Sequence, residues 1–526
     1  MQRSAHRLPG ANARPVQRRV DDFRRSEGFH APPRRSVQPS PIRPRQRYAE
    51  VSVPAGLNLD LPETKTRKKK KAKLTRARAI RRVFLRTTMV MLLLCLGVGG
   101  FLFSKGYIKL HKVFQGGSSA AALTANVDPT LLKGEGDGRV NVLLMGIGGA
   151  HHDGGDLTDT LMIASVDPVN NQATLLSIPR DLWTKMPNNY ISSYQKINAA
   201  YESGKYKYLG KQDQKSTDHK AILAGFSGID STMERVTGIP IHYNMLVDFQ
   251  AFSQAIDTVG GITVNNPERL YDPTMAWENG RNPLLAPAGI NNFDGKHALI
   301  FVRSRETSSD FARATRQRLV LVALKDKTAN LGTLTNPLKL SSLISAFGDN
   351  VQSDISISDM TRMAEIVKKI PSSSIQSVGL TDQGANFLTT GNINGMSVVM
   401  PKAGLEDYSK IQEFIRSKLK DGYIAKENAN ITLLNGSGVA GLATSKSDEL
   451  KSYGYNIGTV ANAPTEDYSS TKIIDLSGGA KKYTLNYLKN RFNVQNVDTQ
   501  LPPGITAGSA NIVIILGTDA ASSTQI

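Results

Sequence analysis

Cysteine is nearly absent from this chain, whose 526 residues include only Cys95. That residue lies within an apolar segment, so the rest of the chain can form no disulfide and offers no thiolate for catalysis. The sequence also lacks a P-loop, because the glycine-rich stretch at Gly146 is not followed by Gly-Lys-Ser/Thr. No Gly-x-Ser-x-Gly or Ser-His-Asp pattern occurs either, so a covalent serine hydrolase has no candidate site.

Most of the chain also lacks a net charge, although the formal total is +20. Residues 1–86 contain 24 Lys or Arg and 6 Asp or Glu, which gives +18 and leaves only +2 for the remainder. With few apolar residues, this segment is predicted to be a disordered, basic cytoplasmic tail. It could bind anionic lipid headgroups or RNA, but its default role is to fix membrane topology, and no nucleic-acid partner is expected for the body.

An uncharged, mostly apolar run extends from Thr87 to Phe103. It predicts one N-terminal transmembrane helix over residues 87–107, followed by a linker over 108–135. A cleaved signal peptide is the alternative, but the long basic tail and the absence of a small-x-small site after the run favour an uncleaved anchor. The expected location is the cell membrane, with a cytoplasmic N-terminus and an extracytoplasmic body.

The body is predicted to contain two α/β domains, over residues 136–425 and 430–518. Short apolar runs at Val140–Met145, Leu161–Val166 and Ala173–Ile178 predict strands buried on both faces. Apolar residues at helical spacing from Ile222 to Val236 predict a helix that packs on that sheet. The first domain is therefore expected to be a layered α-β-α structure.

The second domain contains a Gly-x-G-x-x-G sequence from Gly436 to Gly441, between a predicted strand and a helix over Val439–Tyr453. A dinucleotide site would need an acidic partner about twenty residues later, and none stands there. Tight turning and close packing are the preferred interpretation of these glycines.

Arginines are concentrated between residues 303 and 316. His297–Val302 is predicted to be a buried strand, so that Arg303 and Arg305 leave its end on one face. A helix should follow, and Asp310, Arg313 and Gln317 would share one stripe of it. Converging guanidinium groups suit a phosphate, because their planar forks match its oxygens; a solvated, salt-bridged helix face is the alternative.

Two further polar positions stand at predicted strand ends. Arg180 follows the third strand, where ligand sites of layered α/β sheets gather, although a surface pair with Asp181 is the simpler explanation. Asp159 precedes the second strand beside a loop with His151, His152, Asp153 and Asp156, which could hold a divalent ion. For the two histidines, solvated loop positions are the preferred interpretation.

As an ordered set, these segments resemble the LytR-CpsA-Psr family of membrane-anchored cell-wall phosphotransferases over residues 138–330. Residues 430–517 look like the C-terminal domain that often accompanies the family. The matching segments are Asn141–Gly146, Thr158–Thr160, Ser177–Asp181, Lys196–Tyr201, Asp248–Phe249, Val259–Ile262 and Arg303–Gln317.

The resemblance implies transfer of a glycopolymer from a polyprenyl-pyrophosphate carrier to a peptidoglycan hydroxyl, with pyrophosphate cleavage as a side activity. It implies that the pyrophosphate is bound by Arg180, Arg303, Arg305, Arg313 and Gln317. It also implies an apolar pocket for the lipid between sheet and helices, which Ile222, Phe226 and Ile229 are predicted to line. By the same match, Asp159 would bind Mg²⁺, and Asp310 would orient arginines or assist the acceptor hydroxyl. Phosphoryl transfer of this kind depends mainly on positioning and on neutralising charge.

One departure from the family pattern concerns the metal. The usual Gly-x-Asp-x-Arg after the first strand is replaced by Gly-Ile-Gly-Gly-Ala from Gly146, so one expected ligand is missing. Asp153, Asp156 and His151 are the candidates to replace it. A non-catalytic polyprenyl-phosphate binder and a membrane-bound regulator remain alternative functions.

Overall fold

The computed structural model describes residues 119–149, 154–188, 192–210, 218–304, 310–330, 350–381 and 385–522. The predicted tail and the predicted transmembrane helix over 87–107 lie outside these ranges. Within them, no helix is both long and apolar enough to cross a bilayer.

The described residues form a mixed α/β structure. The strands are β1 (Val140–Ile147), β2 (Thr158–Asp167), β3 (Gln172–Ser177), β4 (Trp183–Lys185), β5 (Tyr194–Lys196), β6 (Tyr243–Asp248), β7 (Ile262–Asn266), β8 (Leu270–Tyr271), β9 (Leu284–Ala286), β10 (Gly289–Phe293), β11 (Val351–Ser353), β12 (Ile375–Gly379), β13 (Leu388–Ile393), β14 (Met396–Pro401), β15 (Asn430–Asn435), β16 (Asn456–Asn462), β17 (Lys472–Asp475) and β18 (Ile512–Leu516). The helices are α1 (Ala200–Leu209), α2 (His219–Thr237), α3 (Phe249–Thr258), α4 (Gly295–Arg303), α5 (Asp310–Asn330), α6 (Ile357–Lys369), α7 (Ser409–Lys418), α8 (Gly422–Glu427), α9 (Leu442–Tyr453), α10 (Lys482–Arg491) and α11 (Asp519–Ser522).

A central sheet is formed, within the described ranges, by six strands in the order β11-β6-β1-β2-β3-β12. β1 pairs antiparallel with β2 and parallel with β6, which confirms the predicted buried strands. Alternate residues of β1 serve opposite faces: Leu143 and Met145 join the core with α2, whereas Val140 packs with residues of α6. Helices therefore cover both faces of the sheet.

The predicted strand over His297–Val302 is wrong, because these residues belong to α4. Asp294 caps this helix by accepting a hydrogen bond of 2.8 Å from the His297 N–H. Ala298, Phe301 and Val302 are buried and stand at helical spacing. A short continuous apolar run is compatible with either a buried strand or a buried helix, and the Asp cap was the signal that favoured the helix.

The C-terminal unit contains a four-stranded sheet, β16-β15-β18-β17, among its described residues. The helix predicted over Val439–Tyr453 is confirmed, although α9 begins at Leu442. A β-carbon at Gly436 would lie 2.6 Å from the Tyr468 ring, which supports close packing as the role of this glycine.

Residues 119–135, the described part of the predicted linker over 108–135, are ordered. These residues form two short 3-10 helices, Ala121–Leu123 and Pro129–Leu131. Val127 and Leu132 are buried in the core of the C-terminal unit, and Asn486 donates hydrogen bonds to the carbonyls of Pro129 and Leu132. Small and polar residues suggested flexibility, but two apolar anchors are enough to fix such a segment.

Candidate functional site

A cavity of about 580 Å³ lies between the central sheet and the helices α3, α4 and α5. Most of its lining is apolar, and side chains from the sheet, α3 and α5 supply it. These include Met162, Met245, Phe249, Phe252, Leu321 and Leu324. The same cavity is bordered by Asp159, Arg180, Asp248, Arg303, Arg313 and Gln317.

The polar residues meet at one edge of the central sheet. β1 ends at Ile147, which pairs with Thr158 at the start of β2 and with Asp248 at the end of β6. Thr160 pairs with Gly146, so Asp159 is the extra residue of a β-bulge. A bulge changes the direction of a side chain, and here it brings the Asp159 carboxylate to the cavity.

Arg180 enters the site from the turn after β3. Its guanidinium forms an ion pair with Asp159, and its Nε lies 3.7 Å from an Asp181 carboxylate oxygen. Lys196 holds the other Asp181 oxygen at 2.7 Å. The Arg180 Nε is buried and makes no hydrogen bond to any described residue. A buried guanidinium donor of this kind is suited to an anionic oxygen of a ligand.

Arg303 reaches the cavity from the last position of α4. Its Nη1 lies 3.1 Å from both carboxylate oxygens of Glu278. Its guanidinium also stacks over the Phe249 ring, 4.8 Å from the centroid. These two contacts fix the orientation of the Arg303 guanidinium at the cavity, which Asp248 also lines.

Helix α5 supplies Arg313 and Gln317, one turn apart, as the predicted stripe required. The Gln317 amide donates a hydrogen bond of 2.9 Å to the Thr160 hydroxyl, which joins α5 to the sheet edge. Asp310 begins α5, but its side chain lies outside the described part of the structure, as does Arg305.

Arg316, also part of the arginine-rich segment, has a different role. It donates hydrogen bonds to the carbonyls of Phe301 and Ser304 and so fastens the end of α4 to α5. Burial lowers the pKa of the Arg316 guanidinium to about 10. Arg316 is therefore a buried structural residue and not part of a solvated helix face, while Arg303 and Arg313 line the cavity.

Ile222, Phe226 and Ile229, the residues predicted to line a lipid pocket, do not line this cavity, and their lipid-binding role stays a prediction. All three are buried in the core between α2 and the opposite face of the central sheet, and none lines the cavity. An amphipathic helix on a sheet fills a closed core as readily as it borders a pocket, and its apolar stripe is the same in both cases.

A metal site can be assessed from the carboxylates at the cavity. Asp159 and Asp248 both line it, and burial raises the pKa of the Asp248 carboxyl. Asp156 forms an ion pair with Lys205, whose Nζ lies 2.8 Å from its Oδ2. His151 and Asp153 lie outside the described residues. The described ranges contain no cluster of three or more His, Cys, Asp or Glu able to hold a metal. Two carboxylates still fit Mg²⁺, which takes its other ligands from water and phosphate.

Sequence reasoning missed the site roles of Phe249, Glu278 and Asp248. In the sequence, Asp248 and Phe249 were noted only as one segment of the family resemblance. An acid at a strand end before a helix is nevertheless a recognisable signal of a ligand site. Glu278 lies 25 residues from Arg303, and no periodicity connects two such positions.

A family model described as the LytR_cpsA_psr family matches residues 107–412, more than half of the chain. The chain belongs to the LytR-CpsA-Psr family. A second model, described as LytR cell envelope-related transcriptional attenuator, matches residues 428–519.

Relatives of this family member include proteins named for wall assembly. The polyisoprenyl-teichoic acid–peptidoglycan teichoic acid transferase TagU of Oceanobacillus iheyensis is 31% identical over 233 residues, covering 43% of this chain and 62% of the relative. The cell wall biosynthesis protein LcpA of Corynebacterium glutamicum is 27% identical over 333 residues, covering 61% and 62%. The crystal structure of B. subtilis TagV is 25% identical, with a TM-score of 0.40, covering 53% of this chain and 97% of that chain.

Proposed function

We propose that this protein transfers a phosphate-linked glycopolymer from a polyprenyl-pyrophosphate carrier onto peptidoglycan during cell-wall assembly. One observation carries the proposal: a single cavity joins an apolar interior to Arg180, Arg303 and Arg313 at a sheet edge. A lipid pyrophosphate needs both environments together, since its chain must leave water while its phosphates need cationic donors. Membership of the family and the names of its relatives support the same reaction class.

In the proposed reaction, a peptidoglycan hydroxyl oxygen attacks the phosphorus that bears the glycopolymer. A phosphorus–oxygen bond forms to the acceptor, the bond to the bridging pyrophosphate oxygen breaks, and polyprenyl phosphate leaves with that oxygen. The hydroxyl proton passes to a base, for which Asp310 is the predicted candidate. The arginines stabilise the negative charge that develops on the phosphoryl oxygens.

Mg²⁺ is part of the proposal, and Asp159 and Asp248 would hold it. When bound, the ion would neutralise charge on the pyrophosphate oxygens. The Arg180 ion pair with Asp159 then has a clear function, because it keeps that carboxylate oriented toward the cavity before substrate enters. We also propose the predicted membrane location, with the body outside the cytoplasm, since the carrier lipid and the peptidoglycan acceptor meet there.

The test uses purified full-length protein with a polyprenyl-pyrophosphate-linked polymer and peptidoglycan. Release of polyprenyl phosphate and attachment of the polymer are both measured. Arg180→Ala should lower both by at least about tenfold. Arg235→Ala is the matched control, because Arg235 is also ion-paired, to Glu406, but lies on α2 away from the cavity. Lipid binding without polymer transfer by the wild-type protein would instead indicate a non-catalytic binder.

A further inference from the structure

The loop over residues 271–284 forms one wall of the cavity and also a distinct outer face. Its inward residues Asp272, Thr274 and Met275 line the cavity. The loop is closed at its base by pairing of Tyr271 with Leu284 and by a 2.8 Å hydrogen bond from the Asp272 N–H to the Pro283 carbonyl. The loop therefore has a defined structure, held by backbone pairing at its base.

The outward side of this loop exposes large apolar side chains. Trp277 is 74% exposed, Tyr271 is 45% exposed and Leu284 is 38% exposed. Exposing a tryptophan to this extent, in the same short loop as two other large apolar residues, is unfavourable in water unless a partner covers them.

The charges of the loop are sorted between its two sides. Asp272 is fully buried and accepts a hydrogen bond from Ser304, and Glu278 is turned inward to Arg303. Arg281 is exposed, and its N–H bonds to the Ala276 carbonyl beside Trp277. The outer side therefore presents aromatic and aliphatic groups together with one cation and neither of the loop's acids.

We propose that this outer face, formed by Tyr271, Trp277, Arg281 and Leu284, rests on a lipid bilayer. Tryptophan and tyrosine favour the membrane–water interface, and arginine favours anionic headgroups. The choice of a bilayer rests on the proposed function, because a cavity that accepts a membrane-borne lipid must be loaded from a bilayer. The inner side of the same loop is a wall of that cavity, so docking would bring the cavity close to its lipid source.

The first experiment uses the two tryptophans of the chain, Trp183 and Trp277. Trp183 is only 8% exposed, so Trp183→Phe leaves Trp277 as the single fluorescent reporter. The full chain is reconstituted in vesicles of phosphatidylcholine and phosphatidylglycerol with brominated acyl chains and without any polyprenyl lipid. The matched control places the reporter elsewhere, as Leu405→Trp with both native tryptophans replaced by Phe, since Leu405 is 53% exposed outside the loop.

Bromine should quench Trp277 more strongly than the tryptophan at position 405. Equal quenching at the two positions would overturn the proposal. If Trp183→Phe does not fold, the difference in quenching between wild type and Trp277→Phe gives the same information with Trp183 intact.

The second experiment compares substrate presented in vesicles with substrate presented in detergent. Trp277→Ala should lower the rate of transfer from vesicles by about tenfold, because an apolar contact with the bilayer is lost, and should leave the rate in detergent unchanged. Equal loss in both, or no loss in either, would contradict docking. Failure of wild type to bind polyprenyl phosphate in detergent would refute the proposed function alone, since the quenching experiment contains no such lipid.

Discussion

One face of the central sheet packs against α2 as a closed core, whereas the other face borders a cavity. The strands contribute similar apolar residues to both, as Leu143 and Leu144 illustrate from adjacent positions of β1. The helices make the difference. On the closed side, Gly228 of α2 lies so near Gly204 that a β-carbon there would be 3.0 Å from the Gly204 Cα. On the open side, α3, α5 and the sheet enclose a cavity that arginines border.

Apolar periodicity identifies a buried helix but does not distinguish a closed core from a pocket. Polar residues at the sheet edge make that distinction. A helix that brings Arg313 and Gln317 to strand ends borders a site, whereas α2 brings no such pair to that edge.

The largest expected effect is on the closed side. Phe226→Ala should lower the free energy of unfolding by about 3–5 kcal/mol, because Phe226 is 2% exposed and packs against the Tyr201 ring. Denaturant titration measures this loss. Unchanged stability, with weaker binding of polyprenyl phosphate, would mean that α2 lines a pocket after all.

A matched pair of alanines tests the two faces more finely. Ala221 on α2 is fully buried, so Ala221→Phe should cost about 1–3 kcal/mol through overpacking. Ala255 on α3 lines the cavity, so Ala255→Phe should cause a smaller loss of stability than Ala221→Phe. It should also block lipid binding. Thermal melting and a lipid-binding assay on both variants measure these two effects. A larger stability loss at Ala255 would show that the cavity closes in solution.

At the sheet edge, Arg303→Ala should lower transfer by at least about tenfold, a loss of roughly 1.4 kcal/mol in transition-state stabilisation, with little change in melting temperature. Arg303→Lys should restore little, since an ammonium keeps the charge but loses the planar fork. Kinetic assays of both Arg303 variants, with Arg235→Ala as the control, measure these effects. Full activity in a variant that melts several degrees lower would make Arg303 structural.

A pH dependence of stability is also expected on the closed side. Burial raises the pKa of Asp230 to about 8, and its carboxyl accepts a hydrogen bond of 2.9 Å from the Asn244 amide. The folded state then retains a proton that the unfolded state loses near pH 4. Stability from this group is present below pH 4 and lost as pH rises toward 8, by on the order of 1 kcal/mol per pH unit. Asp230→Asn should flatten this dependence in unfolding curves from pH 5 to 8; an unchanged slope would contradict it.

The first three strands and helix α2 were predicted from the sequence, because turn residues and apolar periods agree in those segments, whereas the segment that forms α4 was not. Arg180, Arg303, Arg313 and Gln317 were predicted as phosphate ligands, and the structure brings all four to one cavity, although their binding role remains a prediction. The remaining features could not be predicted, because they depend on contacts between residues far apart in the sequence. Glu278 supports Arg303 across 25 residues, and Val127 enters a core formed mostly by residues beyond 420. Such contacts depend on tertiary packing, which local propensity does not encode.

The central claim is that the open face of the sheet holds a polyprenyl chain with its phosphate at the sheet edge. A crystal structure of the protein bound to a polyprenyl phosphate tests this most directly. We expect the lipid between α3 and α5, with phosphate oxygens on Arg180, Arg303 and Arg313. Lipid bound on the α2 side of the sheet, or phosphate bound away from all three arginines, would contradict the account.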